Sequence, residues 1–133
     1  MIITIPLAPV TKKNSQRVVG DTIHKRIIQS KEYLQYQHDV GIYLKQCSRP
    51  LIDYPVNIEA RFYMPTMRRV DISNLISALD DVLVLYGVLF DDNRDIVAGH
   101  DGSRVLYDKA APRTDIVIKP MEDYQKWHIT MTK

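Results

Sequence analysis

The sequence predicts a small α+β domain, a mixed sheet with two main helices packed on it. Three observations carry that reading. Residues 56–64 alternate apolar and polar side chains, the period of a half-buried strand. Two further segments, after Ser30 and around residues 73–86, repeat apolar residues at helical spacing. The length, 133 residues with 45% apolar content, suits one domain around one core, spanning the whole chain.

Each element has its own local warrant. Residues 1–6 are rich in β-branched side chains and read as a buried strand. Leu7 to Gly20 reads as a loop opening into a short strand, punctuated by Pro9, Asn14, Ser15 and Gly20. Gly20-Asp21 turns the chain into a second short strand over residues 22–28. Ser30 is a good N-cap for a helix reaching about Cys47, with Pro50 beyond its end. Tyr33, Tyr36, Val40, Tyr43, Leu44 and Cys47 give that helix an apolar stripe, better suited to core packing than to stacking on bases. Val56, Ile58, Ala60, Phe62 and Met64 share one face of the next strand, which Pro65 ends. A basic loop, Thr66-Met67-Arg68-Arg69-Val70, leads to a second helix from about Ser73 to Tyr86, stopped by Gly87. Leu75, Leu79, Val82 and Tyr86 form its buried face, with Asn74, Ser77 and Asp81 opposite. Val88 to Phe90 is a short apolar stretch, expected to return alongside the 56–64 strand. Residues 95–99 and 114–119 read as closing strands, and the tail from Pro120 has no clear element.

Composition removes several function classes. One cysteine, Cys47, excludes an intrachain disulfide framework and a cysteine-based zinc site, and is best read as a small buried hydrophobe. The longest apolar run, Val82 to Phe90, is far short of the roughly 18 residues that span a bilayer. The opening Met-Ile-Ile-Thr-Ile-Pro lacks the charged start of a signal peptide, so a cytoplasmic protein with no membrane partner is expected. The four histidines do not fall at metal-ligand spacing; His38 reads as a surface residue, and His100 and His128 carry no stronger signal. There is no Gly-rich phosphate loop and no Ser/His/Asp set.

Charge distribution says more than net charge. Residues 1–30 carry five Lys/Arg and one Asp, a net of +4. Residues 71–108 carry eight Asp and two Arg, a net of −6. Asp71 lies at the junction of loop and second helix; Asp91-Asp92 follows the same helix. Convergence of Asp71 and Asp92 would suit Mg²⁺, which takes a few carboxylate oxygens and keeps several waters. Arg68 and Arg69 would then face DNA phosphates. The same residues also fit plainer roles: Asp71 or Ser73 as a helix cap, Asp91-Asp92-Asn93 as a turn. Spacing alone leaves both open.

One combination is more specific. Arg68-Arg69-Val70-Asp71-Ile72-Ser73-Asn74-Leu75, then Asp81, Gly87 and Asp91-Asp92, resembles the RusA family of Holliday junction resolvases. Members read Arg/Lys-x-Asp-x-Asp-Asn-Leu, a helix, then Gly-hydrophobic-x-x-Asp-Asp. Thr11-Lys12-Lys13-Asn14-Ser15 matches the family's opening. His100-Asp101-Gly102-Ser103-Arg104, with Asp108-Lys109 and Pro112-Arg113, resembles versions carried by phages and prophages of Gram-positive bacteria. The likeness covers residues 1 to about 119.

The resemblance implies a homodimeric, Mg²⁺-dependent endonuclease that nicks four-way DNA junctions in recombination and repair. By position, Asp71 and Asp92 would be metal ligands with Asp91 beside them. Lys12, Lys13, Asn14, Arg17, Arg68, Arg69 and Asn74 would meet DNA. Two positions depart from the pattern: Ser73 stands where the family has its second aspartate, and Ser77 where it has a lysine. Asp81 is the natural carboxylate to recruit, seven residues on from Asn74 and so close to two turns along the same face. Lys109 is the candidate to supply the missing cation. The same departures also suit a branched-DNA-binding module with weakened or lost nuclease activity.

Overall fold

A computed structural model describes residues 1–11, 30–46 and 49–122, and the backbone of 17–19 and 26–28. Along the chain come β1 (Ile2–Ile5), β2 (Arg17–Val19), β3 (Arg26–Ile28), α1 (Lys31–Lys45), β4 (Val56–Met64), α2 (Ile72–Leu85), β5 (Val97–Gly99), β6 (Arg104–Tyr107) and β7 (Arg113–Pro120). The expected α+β architecture forms: five strands make one mixed sheet in the order β1-β7-β4-β5, with β6 also on β4, and β2 and β3 make a separate antiparallel pair.

β4 is the centre of the sheet. β7 pairs antiparallel along one of its edges, from Val56 to Tyr63. On its other edge β5 and β6 run parallel to it, at Val56–Asn57 and at Arg61–Met64. A parallel neighbour requires a crossover, and α2 supplies it. So α2 starts beyond the C-terminal end of β4 and returns the chain to the N-terminal end, where Val97 pairs with Val56. The alternation along β4 holds: Val56, Ile58, Ala60 and Phe62 are buried.

α1 begins at the predicted cap, where the Ser30 Oγ accepts a hydrogen bond from the Tyr33 backbone N–H at 3.1 Å. Tyr33, Tyr36, Val40 and Leu44 enter the core, but Tyr43 is exposed. The helix meets its neighbour through Gly41, on the opposite edge of the stripe from Tyr43. A Cβ at Gly41 would collide with the Tyr86 ring, whose hydroxyl donates to the Gln37 carbonyl at 2.7 Å. α2 ends as expected. Gly87 takes φ +73°, its N–H donates to the Val84 carbonyl, and the Val88 N–H donates to the Leu83 carbonyl. That double bond pattern caps the helix and needs the left-handed residue that glycine supplies.

Two expectations are corrected, and one strand was missed. Val88 to Phe90 does not run alongside the 56–64 strand: Leu89 makes one isolated parallel bridge with Ile52. The reason is direction, since α2 has already delivered the chain to the start of β4. β6 was not legible, because its residues are mostly exposed and lack alternation. It is a strand only through its ladder to β4. Tyr86 is half-buried, its place in the core taken by Ala78 and Leu83. No helix among the described residues is long and apolar enough to cross a membrane.

Candidate active site

One flank of α2 opens on a cleft lined by Gln37 of α1, Asp81, Val84 and Leu85 of α2, and Asp92. Asp92 reaches it through the turn that follows the Leu89 bridge. There the Asp91 carboxylate accepts the Asp92 N–H at 2.7 Å, and Asn93 Oδ1 accepts the Asp95 N–H at 3.0 Å. Asp91 and Asn93 therefore build a turn, as the sequence allows, and the turn carries Asp92 to α2. The Asp92 carboxyl is held above the usual carboxylate range. Partial desolvation contributes most, then a hydrogen bond with the Asp91 carboxyl; a backbone hydrogen bond opposes them, and the negative charges of Asp81 and Asp91 add to the rise. Crowded carboxylates of this kind resist full ionisation and gain by the arrival of a cation.

Asp71 is placed elsewhere. It is the N-cap residue of α2, yet its side chain makes no cap hydrogen bond; its carboxylate accepts from the Asn74 amide at 3.4 Å instead. Ten residues of helix separate Asp71 from Asp81, about 15 Å at 1.5 Å per residue. Asp71 and Asn74 lie on the same flank of α2 as Asp81, while Asp92 keeps company with Asp81. Ser73 and Ser77 are exposed.

The basic residues gather at the head of α2. Arg68 and Arg69 are exposed in the loop between β4 and α2. Lys109 is exposed in the turn between β6 and β7, which starts where the Asp108 N–H donates to the Met64 carbonyl at the end of β4. It is thus at the end of the sheet where Asp71 stands. Arg113 of β7 pairs with Asp108 at 3.0 Å and Asp115 at 3.2 Å and lies over the Tyr63 ring. Arg17 opens β2. Lys12, Lys13, Asn14, Cys47 and His128 lie outside the described residues.

Sequence reasoning missed two groups. The first is Asp80, which is buried at 7% exposure on the other flank of α2. Its Oδ2 lies 3.0 Å from His100 Nε2, and His100 Nδ1 lies 3.2 Å from the Ile58 carbonyl. Burial pulls the imidazole towards its neutral form. The hydrogen bond and charge of Asp80, with the Ile58 carbonyl, outweigh it and raise the pKa. Both ring nitrogens face acceptors, which is the arrangement of an imidazolium donating twice. The second is Tyr33, expected only as core. Its hydroxyl is buried and has no hydrogen-bond partner among the described residues. Burial, then the nearby Asp81 charge, pushes its pKa up to about 12. Nothing in the sequence pairs residue 33 with residue 81 or residue 80 with residue 100, because only the fold makes them neighbours.

The donor set at the cleft fits a hard divalent cation. Among the described residues no three His, Cys, Asp or Glu side chains are grouped to hold a metal ion. Asp81 and Asp92 therefore give two carboxylates at most, with Asp91 behind them. Mg²⁺ binds through one or two carboxylates and keeps the rest of its octahedron for waters and substrate oxygens. Zinc would want nitrogen or sulfur ligands that the cleft lacks.

Known proteins bear on this arrangement. The family described as Endodeoxyribonuclease RusA matches residues 6–119, which takes in both helices and every strand except β1 and the last residue of β7. No curated protein matches the chain. Members of that family act on Holliday junctions and generally depend on a divalent metal. With the match running through the sheet, the basic loop, α2 and the Asp91-Asp92 turn, the chain belongs to the RusA endodeoxyribonuclease family.

Proposed function

We propose that the protein is a Mg²⁺-dependent, structure-selective endonuclease that resolves four-way DNA junctions by paired nicks, acting as a homodimer in recombination and repair of phage or prophage DNA. The observation that carries this reading is the cleft where Asp92 stands beside Asp81 on α2, in a chain of this family. Two-fold symmetry of a dimer would match the two-fold symmetry of a junction and give two nicks.

In this reading Asp81 and Asp92 hold the cation, and Asp91 fixes Asp92 through its backbone N–H. Bound Mg²⁺ would supply a water of lowered pKa and offset the charge that develops on the phosphate. Hydrolysis would join a water oxygen to phosphorus as the bond from phosphorus to the leaving sugar oxygen breaks, the water losing a proton and the sugar oxygen gaining one. Arg68 and Arg69 pair with neighbouring phosphates at the head of α2. Lys12, Lys13, Asn14 and Arg17 would grip the arms, and Lys109 would stand in for the cation that Ser77 cannot provide. The family pattern makes Asp71 a ligand, whereas the geometry favours Asp81 with Asp92. Mn²⁺ titration of Asp71→Asn beside Asp81→Asn decides between them.

The deciding experiment is cleavage of a synthetic four-way junction with Mg²⁺, run beside linear duplex and beside Asp92→Asn. Paired nicks in the junction alone, lost in the variant, are the expected result. Tight junction binding without nicks would make the protein a branched-DNA-binding module. Neither binding nor nicking would leave only the fold in common with the family.

A further inference from the structure

We propose that Met67 and Tyr107 form an apolar tip that stacks on bases opened at a DNA branch point, and so set the preference for a junction over duplex. The inference rests on the reading of the chain as a junction endonuclease and names what would recognise the branch.

The two side chains come from different strand ends and meet at one place. Tyr107 closes β6 opposite Met64, the last residue of β4, and Met67 is three residues further along the chain. Met67 is 80% exposed and Tyr107 50% exposed. With Arg68 they line one small cavity of about 160 Å³. The Thr66 hydroxyl accepts the Arg68 N–H at 3.4 Å, a turn with Met67 at its tip. Cations rim the pair: Arg68 in the cavity wall, Arg69 beside it and Lys109 two residues beyond Tyr107, all exposed. The carboxylate between Tyr107 and Lys109 is committed. Asp108 pairs with Arg113 at 3.0 Å and accepts the Ala110 and Ala111 N–H groups at 3.1 Å each. The patch is thus apolar at its centre and positive at its rim. An acidic protein surface would answer only the rim. A nucleic-acid strand answers both, because each phosphate carries a base with a π-face. Duplex DNA keeps those faces stacked on one another and offers the tip nothing to cover it. A branch point interrupts the stack, which lowers the cost of opening a base step.

The test is Met67→Ala and Tyr107→Ala, with binding to a synthetic four-way junction and to linear duplex measured at fixed salt without divalent metal. Each variant should lose about tenfold in junction affinity and keep its duplex affinity. The slope of log affinity against log salt should hold, because no phosphate contact is removed. Tyr107→Phe should keep the selectivity of the parent, since stacking uses the ring and not the hydroxyl. Equal losses on junction and duplex, or no loss on either, would overturn the inference. So would variants that change the sedimenting mass of the DNA-free protein, which would mean that a second copy covers the patch. Met67 projects into solvent, so Met67→Ala decides the matter even where Tyr107→Ala fails to fold. A parent that prefers the junction but never nicks it would overturn the endonuclease reading and keep this inference, provided the variants lose that preference. A parent that nicks the junction, with variants of unchanged selectivity, would do the reverse.

Discussion

Asp80 and Asp81 are neighbours in sequence and opposites in environment. A step of 100° around α2 turns Asp80 towards the sheet and Asp81 towards the cleft beside α1. On the sheet side one carboxylate meets one imidazole, and the ring bridges on to the Ile58 carbonyl of β4. On the cleft side Asp81 stands near two more carboxylates, Asp91 and Asp92. The first arrangement pairs one carboxylate oxygen with an imidazole inside the protein and ties a helix to a sheet. The second concentrates like charge where solvent and ligands can reach. Burial with a partner makes a carboxylate structural, whereas crowding at an open surface raises the proton affinity of each carboxyl.

That contrast can be broken most severely at Asp92. Asp92→Asn should lower junction cleavage in Mg²⁺ at least ~100-fold while leaving the fold intact, because second and first ligand positions carry effects of this size. Its Tm should hold or rise slightly, since a carboxyl raised by crowding destabilises the fold when ionised. A matching loss of Tm would make Asp92 structural and erase the difference between the flanks.

The opposite pattern is expected at the sheet side. His100→Ala leaves Asp80 buried with neither oxygen paired, a cost of about 3 kcal/mol. Thermal melts should show it directly. The pH dependence has a definite sign. A raised imidazole pKa adds stability that is complete below the unfolded value of 6.5 and is lost as pH rises through the folded value. Melts of the parent should therefore fall relative to His100→Gln as pH passes upward through that window. Identical pH profiles would show that folding leaves the imidazole pKa unshifted.

Smaller effects sharpen the picture at the head of α2. Arg68→Ala with Arg69→Ala should weaken binding to all DNA forms. It should reduce the slope of log affinity against log salt by about two, one for each phosphate contact. An unchanged slope would move the DNA away from this loop. The smallest change is expected from Ser73→Asp. The first turn of α2 carries no acidic residue, so the new carboxylate should favour the helix dipole by about 0.3–1 kcal/mol. Cleavage should change little if Asp81 and Asp92 hold the metal. A large gain would put the metal at Asp71 instead, at the other end of the helix.

Legibility followed the range of the interactions involved. The cap at Ser30, the alternation of β4 and the stop at Gly87 were readable because each depends on residues within one turn or one strand. Tyr43 was misplaced because the stripe of α1 is centred by Gly41 and the Tyr86 ring, a contact across helices. β6 was invisible because an exposed edge strand needs no apolar pattern, only a partner for its backbone. At the site, the residue types, the acidic segment and the candidacy of Asp81 were legible from spacing along a helix. Which of them share a cleft was not.

Sequence alone therefore determined the α+β class, the two main helices and the central strand, and the carboxylates and arginines available for chemistry. Local sterics, capping and side-chain periodicity act over a few residues, so they can be read without the fold. The tertiary structure decided that Asp92 returns to Asp81 and not to Asp71. It also decided that Asp80 is sealed against His100 and that Tyr33 carries a hydroxyl without a partner among the described residues into the core. Those outcomes depend on where a crossover helix sets the chain down against its sheet, and no local pattern encodes that distance.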